Sequence, residues 1–375
     1  MPKNCSISKY NYRGMNMTDS VYKKLAGVLD TLPNGFPSTE SGVEIKLLKK
    51  VFTPEQADLF CEMRLTFETV EEIAVRTGRP LEGLKEMLLN MSKSGQLFTI
   101  KLGATRYFKM LPWVFGIYEF QCGRLDKEFA ELYEEYGPIY GKQFFSKMPQ
   151  LMQVLPIEEK ISDKEEALPY EKITSIIENG QSFLLNDCIC KKEKGLLGKP
   201  CDRPVQVCLA IAPIPGVFDN SPEGRVISRS EAYILLKMTE ESGLVHLTSN
   251  VQNGSFYICN CCKCCCGVLG AINELGIPAA DVINCHYYAE IDLDQCISCG
   301  LCAEERCQVG AIEEGEDAYR IIRDRCIGCG LCISTCPAEA IRLIHKDQRV
   351  LPPITEEAWF DERGKRRGVD FSAYK

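Results

Sequence analysis

The sequence predicts an α+β chain of several domains, and three observations carry that prediction. Apolar residues between 43 and 95 recur at helical spacing and then give way to two short strand-like runs. Residues 169–288 alternate helix-like and strand-like stretches and hold ten of their eleven cysteines in two groups. Near the C-terminus, three thiols at two-residue intervals occur twice. The expected layout is a tail and short helix (1–42), a three-helix and hairpin domain (43–111), an aromatic-rich helical connector (112–168), a Cys-rich α/β domain (169–288), a domain built on the thiol repeat (289–346) and a polar tail (347–375).

The 375 residues suffice for two or three separate cores. A hydrophobic content of 45% and a charged content of 26% are those of a globular protein. The net charge of −8, counted before any metal-bound thiolate, argues against nucleic acid as a partner of the whole surface. No apolar run reaches the length of a membrane span. Residues 1–17 are polar and lack the apolar core of a secretory leader. The 22 cysteines cluster in ligand-like groups, so a reducing cytoplasm, that of an anaerobe, is the expected setting. Cys5, Cys61 and Cys122 stand alone and read as inert.

In chain order, Thr18 to Leu32 reads as a short amphipathic helix, followed by a turn-rich stretch to Gly42. Thr53 caps a helix opening at Pro54, and Thr69 caps a second that ends at Gly78. Pro80 opens a third, with Leu81, Leu84, Met87, Leu88 and Met91 on one face, ended by Gly95. Strands follow over Gln96–Leu102 and Thr105–Met110, joined at Gly103-Ala104. Three helices and a hairpin resemble a winged helix-turn-helix domain. That resemblance implies DNA contact through the third helix. Residues 54–94 carry eight acidic and five basic side chains, however, and phosphate contact needs a basic face. DNA is therefore not the expected partner, and docking onto protein is.

Ten aromatic residues between 111 and 145 point to packing rather than to a cofactor pocket. Gly137-Pro138 is expected to break the helix there, and Val154–Leu168 to link to the next domain. That domain opens with a helix over Tyr170–Asn179 and then presents Cys188, Cys190, Cys201 and Cys208. Ser228 caps a helix over Arg229–Glu241. A strand ending at Ile258 delivers Cys259, Cys261, Cys262, Cys264, Cys265 and Cys266, and Val268–Leu275 is helical. Adjacent strand residues face opposite sides, so Cys261 and Cys262 do not easily serve one metal, and the run could feed two sites. Four readings stay open for these ten metal-ligating candidates. One is a 4Fe-4S cluster joining part of the first group to part of the second. The others are a noncubane or double cluster, zinc, and free thiols, which oxidise readily when exposed. Lys191, Lys192, Lys194 and Lys199 read as a solvated basic loop, with a landing pad for an acidic redox partner as the alternative. His286 reads as a packed linker histidine with a ligand role as the alternative, and His246 and His345 read as structural.

The repeat itself is Cys296, Cys299, Cys302 and Cys307, then Cys326, Cys329, Cys332 and Cys336 followed by Pro337. The offset is 30 residues for the first three pairs and 29 for the last. Three thiolates at this spacing reach three corners of one iron–sulfur cube from a single loop. Zinc motifs instead pair two C-x2-C knuckles. The C-x2-C-x2-C-x3-C-P run closely resembles two-cluster bacterial ferredoxins. The resemblance implies two 4Fe-4S clusters, one on Cys296, Cys299, Cys302 and Cys336, the other on Cys326, Cys329, Cys332 and Cys307. It also implies a dry wall of Ile297, Leu301, Ile327, Leu331 and Ile333. The first run departs from the pattern, with one extra residue before Cys307 and Gln308 in the usual place of proline. The chain as a whole resembles ferredoxin-type proteins of anaerobic bacteria that join a Cys-rich block to a two-cluster ferredoxin.

Neither a G-x-G-x-x-G turn after a strand nor a phosphate-cradling loop occurs, so flavin, nicotinamide or ATP would come from another subunit. The expectation is single-electron transfer, with a flavoprotein, a ferredoxin or an oxidoreductase subunit as partner. A redox-sensing regulator and a stand-alone reductase with its active site in the middle domain are the competing readings. The tail, with Pro352-Pro353, Trp359 and Lys365-Arg366-Arg367, is expected to wrap its own chain or a partner.

Overall fold

The structure, a computed structural model, describes residues 17–157, 172–219, 221 and 223–375. Cys5, most of the expected linker and the start of the helix at Tyr170 lie outside the described residues.

The N-terminal part comprises α1 (Met17–Thr31), α2 (Val43–Val51), α3 (Pro54–Phe60), α4 (Val70–Thr77), α5 (Leu84–Lys93), β1 (Leu97–Leu102) and β2 (Thr105–Met110). Thr53 with Gln56 and Thr69 with Glu72 form reciprocal capping boxes at the starts of α3 and α4. β1 and β2 pair in register across the Gly103-Ala104 turn, and a bridge between Glu68 and Phe108 extends the hairpin. The third helix starts at Leu84 rather than after Pro80. Gly83 at its N-terminus is left-handed (φ 76°), which a continuing helix does not allow, and Leu81 is exposed. Two basic residues of this part are committed internally, Arg76 to both oxygens of Glu68 and Arg79 to Glu62 and Asp58, each contact at 2.6 Å.

Against expectation, α6 (Lys127–Phe145) runs unbroken through Gly137-Pro138. Proline inside a helix costs about 3 kcal/mol. Burial on both sides of it offsets that cost: Phe129 before it and Tyr140 and Phe144 after it enter one core, and Tyr136 packs on Phe36 at 5.1 Å. Tyr136 and Tyr140 donate to the carbonyls of Pro37 and Asn34, both at 3.1 Å.

The middle domain is a seven-stranded sheet of β3 (Met152–Val154), β4 (Ser182–Asp187), β5 (Gln206–Ala212), β6 (Arg225–Ile227), β7 (Val245–Ser249), β8 (Tyr257–Cys261) and β9 (Ile283–Asn284). The order is β6-β4-β5-β8-β7-β3-β9, antiparallel except for the β3–β9 pair. Helices α7 (Ile173–Asn179) and α9 (Arg229–Glu241) cover one face, where Ile177, Leu235 and Leu236 pack on Phe183, Leu209 and Ile258. The Ser228–Glu231 capping box starts α9. Helices α8 (Ile189–Leu196) and α10 (Gly267–Asn273) pack against α6. A four-residue helix, α11 (Ala279–Val282), leads into β9.

The C-terminal repeat folds as two small antiparallel pairs, β10 (Tyr287–Ile291) with β13 (Ile341–His345) and β11 (Ile312–Glu314) with β12 (Tyr319–Ile321). Its internal symmetry extends to the backbone. Left-handed residues recur at matching places, Ser298 (φ 50°) with Gly328 (63°) and Gly300 (79°) with Gly330 (81°). At Gly328 a Cβ would meet the Tyr287 carbonyl oxygen at 2.4 Å, so that position is closed to any side chain.

The C-terminal tail is not a polar strand of chain but a helix, α12 (Glu356–Arg367), laid back on the N-terminal half. Trp359 donates to the Gln150 carbonyl at 2.8 Å. Buried Arg363 donates to the carbonyls of Phe144, Lys147 and Pro149. Arg367 donates to the Asp30 and Leu32 carbonyls at the end of α1 and pairs with the Asp30 carboxylate at 3.0 Å. Of the two expectations for the tail, these contacts are those of a segment wrapping its own chain.

Candidate metal centres

The repeat loops enclose two cavities. One, of 340 Å³, is lined by Cys296, Cys299 and Cys302 from the first run and Cys336 from the second, with Ile291, Tyr319 and Ile341 behind them. The other, of 360 Å³, is lined by Cys326, Cys329 and Cys332 from the second run and Cys307 from the first, with Val309, Ile321 and Ile327. Matching amides point at the crossed thiols: Ala311 N–H donates to Cys307 Sγ at 3.1 Å and Ala340 N–H to Cys336 Sγ at 3.3 Å. Ala289 N–H adds a third such bond, to Cys326 Sγ at 3.3 Å. Amides aimed at sulfur favour the thiolate form and temper the potential of whatever it binds.

Residues 289–343 match the 4Fe-4S dicluster domain family. No curated protein and no solved structure matches the chain. The chemistry of the dicluster region fits that match. Each cavity has four soft donors and an apolar wall, and each described cysteine of the chain is a free thiol. Burial pushes the Cys329 thiol up to about 12 and Cys302 up to about 11, so metal binding must draw the protons off.

The two dicluster cavities differ in exposure. Cys299 is exposed and Ile297 is 64% exposed, so Ile297 is not part of a dry wall. Ile327 and Leu331, beside the second cavity, are buried. The difference arises because the second run packs on the body of the chain, where the Cys329 carbonyl accepts from Ile157 N–H at 3.3 Å.

The ten thiols of the middle domain fall into two groups. Cys201, Cys262, Cys264 and Cys265 bring all their sulfurs within 4.8 Å of one another. Cys188, Cys190, Cys208, Cys259, Cys261 and Cys266 form a second, continuous group through the neighbouring pairs Cys188–Cys190, Cys208–Cys259, Cys259–Cys261 and Cys261–Cys266, with Cys190 also near Cys266. Cys201 and Cys208, adjacent candidates in sequence, therefore serve different groups. The alternation of β8 separates Cys261 from Cys262. Cys259 and Cys261 share the face that carries the six-thiol group, while Asn260 points the other way, to His246 Nδ1 at 2.6 Å. Hydrogen bonds from Cys208 and Cys261 hold Cys259 well below the usual thiol range. Hydrogen bonding by Cys265 pushes Cys262 down to about 5 against the effect of burial.

Sequence reasoning missed the charges around these thiols. Of the four lysines after Cys190, Lys191, Lys192 and Lys194 lie on α8, and Lys199 alone is exposed in a loop. Lys191 is 3% exposed, donates to the Pro204 carbonyl at 2.7 Å, and lies near enough to Cys188 and Cys262 to favour both thiolates. Lys194 and Lys199 pair with Glu134 on α6, and Lys192 with Asp187. The helical spacing of 191 and 194 is the signal that could have shown this. Glu193 is buried, bonded to the Tyr118 hydroxyl, and pushed up by burial to about 7, with Cys190 close by. A carboxyl poised there can take up or release a proton as the charge of the thiol group changes. His286 is buried against the Val350 carbonyl at 3.0 Å, and its neighbour Cys285 accepts from Lys346 Nζ at 2.8 Å.

Gln308, the residue in place of proline, lines the 360 Å³ cavity and reaches into the middle domain. Its side-chain oxygen accepts from Lys263 N–H at 3.0 Å, inside the Cys262–Cys266 turn, and its carbonyl accepts from Asn273 at 2.9 Å. Arg306, in the lengthened part of the same loop, donates to the Glu240 and Glu241 carbonyls at the end of α9. The departure from the ferredoxin pattern is thus a joint between the dicluster region and the thiol-rich sheet.

Proposed function

We propose that the chain is an iron–sulfur electron carrier, a subunit or partner of an oxidoreductase, with two 4Fe-4S clusters in the repeat and a further station at the six-thiol group. One observation carries this reading: each dicluster cavity is walled by four cysteines, three from one run and one from the other. That grouping supports a crossed ligand assignment, with Cys336 completing the first site and Cys307 the second. Bound cubes supply single-electron uptake and release. The chain supplies order and access. Cys299 and Ile297 leave the first site open to a partner surface, while Val309, Ile321, Ile327 and Leu331 give the second an aliphatic wall. Gln308 holds the second site against the turn that carries the middle thiols, and Arg306 ties the same loop to the end of α9. Glu193 and Tyr118 give the six-thiol group a proton-exchanging neighbour.

The test is anaerobic purification with iron and sulfide counts and paramagnetic resonance of Cys336→Ala. The expected result is a changed signal from the site built on Cys296, Cys299 and Cys302, with the other retained. Loss confined to the site of Cys326, Cys329 and Cys332 would contradict the assignment. About eight irons correspond to the two quartets alone, and iron above that count reports a filled six-thiol group.

A further inference from the structure

The four-thiol group has the dimensions of a site for one ion. Cys201 Sγ lies 3.7 Å from Cys262 Sγ and 3.3 Å from Cys264 Sγ, and Cys264 lies 3.3 Å from Cys262 and 3.7 Å from Cys265. Four thiolates around one tetrahedral ion, each at about 2.3 Å, stand ~3.8 Å apart. Thiolates on a cube bind four different irons and stand farther apart. Among the described residues, Cys201, Cys262, Cys264 and Cys265 are the group of metal-ligating side chains whose donor atoms all fall within 4.8 Å of one another.

We propose that these four cysteines hold a single zinc ion as a closed tetrathiolate site with no redox role. Binding takes all four sulfurs as thiolates and leaves the site with two negative charges, one Zn²⁺ against four thiolates. The surroundings suit that charge. Arg203 Nη1 approaches Cys264 Sγ at 3.9 Å while its Nε is held by the Ser242 carbonyl at 3.1 Å. Cys262 also closes the turn, its carbonyl accepting from Cys266 N–H at 3.1 Å, so three ligands come from one tight loop. Cys201 arrives from the segment before β5, and the ion ties the two together. The zinc would brace the loop that Gln308 docks on, next to the six-thiol group rather than within it. The inference goes beyond the electron-carrier reading and does not depend on it.

The experiment is metal analysis by mass spectrometry of the full chain purified without air, beside Cys264→Ser, whose exposed position makes the change tolerable to the fold. The expected result is one zinc per chain in the parent, a tenfold or greater loss of zinc in the variant, and unchanged iron and paramagnetic signals. Zinc absorption-edge spectroscopy of the parent provides a measurement independent of the variant's folding, with four sulfur neighbours at about 2.3 Å expected. A parent without zinc, a variant that loses iron instead of zinc, or nitrogen or oxygen in the zinc shell would overturn the proposal. Failure of the electron-carrier reading would appear in the iron count and leave the zinc result untouched.

Discussion

His246, on β7 opposite Asn260 of β8, is 3% exposed, with Asn260 Oδ1 accepting from its Nδ1 at 2.6 Å. The same Asn260 donates to the Val207 carbonyl at 2.6 Å and accepts from Thr239 at 3.1 Å, so one small polar network fixes the strand that delivers Cys259 and Cys261. Burial pushes the imidazole down to about 4. Its folded value is thus below the ordinary 6.5, and the unfolded chain takes up the proton first as pH falls. The stability it contributes is complete above pH 6.5 and is lost on acidification toward pH 4, by roughly 3 kcal/mol in all. Urea-unfolding midpoints measured without air from pH 7 to 4.5 should fall more steeply in the parent than in His246→Gln. Parallel slopes would contradict the assignment. At this scale the sequence was informative where the signal is local: Thr53, Thr69 and Ser228 each cap the helix that their spacing predicts. It was silent on Lys191, because a lysine reads as solvent-facing until the fold places a carbonyl and two thiols around it.

Helix α12 illustrates the next scale. Two of its three arginines do the work of C-caps for helices remote in sequence, Arg363 for α6 and Arg367 for α1. A cation at a helix C-terminus meets unsatisfied carbonyls and the negative end of the helix dipole. Arg363 also lies over the Phe144 ring, 4.4 Å from its centroid, and has burial pushing its own pKa down to about 10. Replacing it with Met keeps much of the apolar stem and removes one donor from each of three carbonyls. The expected cost is roughly 2–4 kcal/mol, visible in thermal unfolding and in faster amide exchange over the last turn of α6, with iron content unchanged. A loss below about 1 kcal/mol would show that water takes over those bonds. The sequence pattern of α12 is too polar to announce a buried helix, and α6 contains a Gly-Pro pair that normally ends one. In both cases tertiary burial overrode the local signal, for α6 because its aromatic stripe continues past the proline.

For the whole molecule, the joint at Gln308 connects the thiol repeat to the sheet. Gln308→Pro restores the usual ferredoxin residue but removes the acceptor for Lys263 N–H. The expected outcome is loss of exchange protection at Lys263 and a stability decrease of roughly 1–3 kcal/mol, with both dicluster signals preserved. Unchanged protection at Lys263 would mean the joint is held elsewhere, for instance by Arg306. The sequence alone determined the repeat, the helix caps and the hairpin register, because each depends on residues a few positions apart. It also contained every thiol. Which thiols meet was decided only by the tertiary structure. The sheet order sets β8 beside β5 and so brings Cys259 to Cys208, while the turn after β8 carries Cys262, Cys264 and Cys265 to Cys201. Metal coordination depends on sulfur–sulfur distances of a few ångströms, and separations of sixty residues along a chain do not encode such distances until the strands are paired.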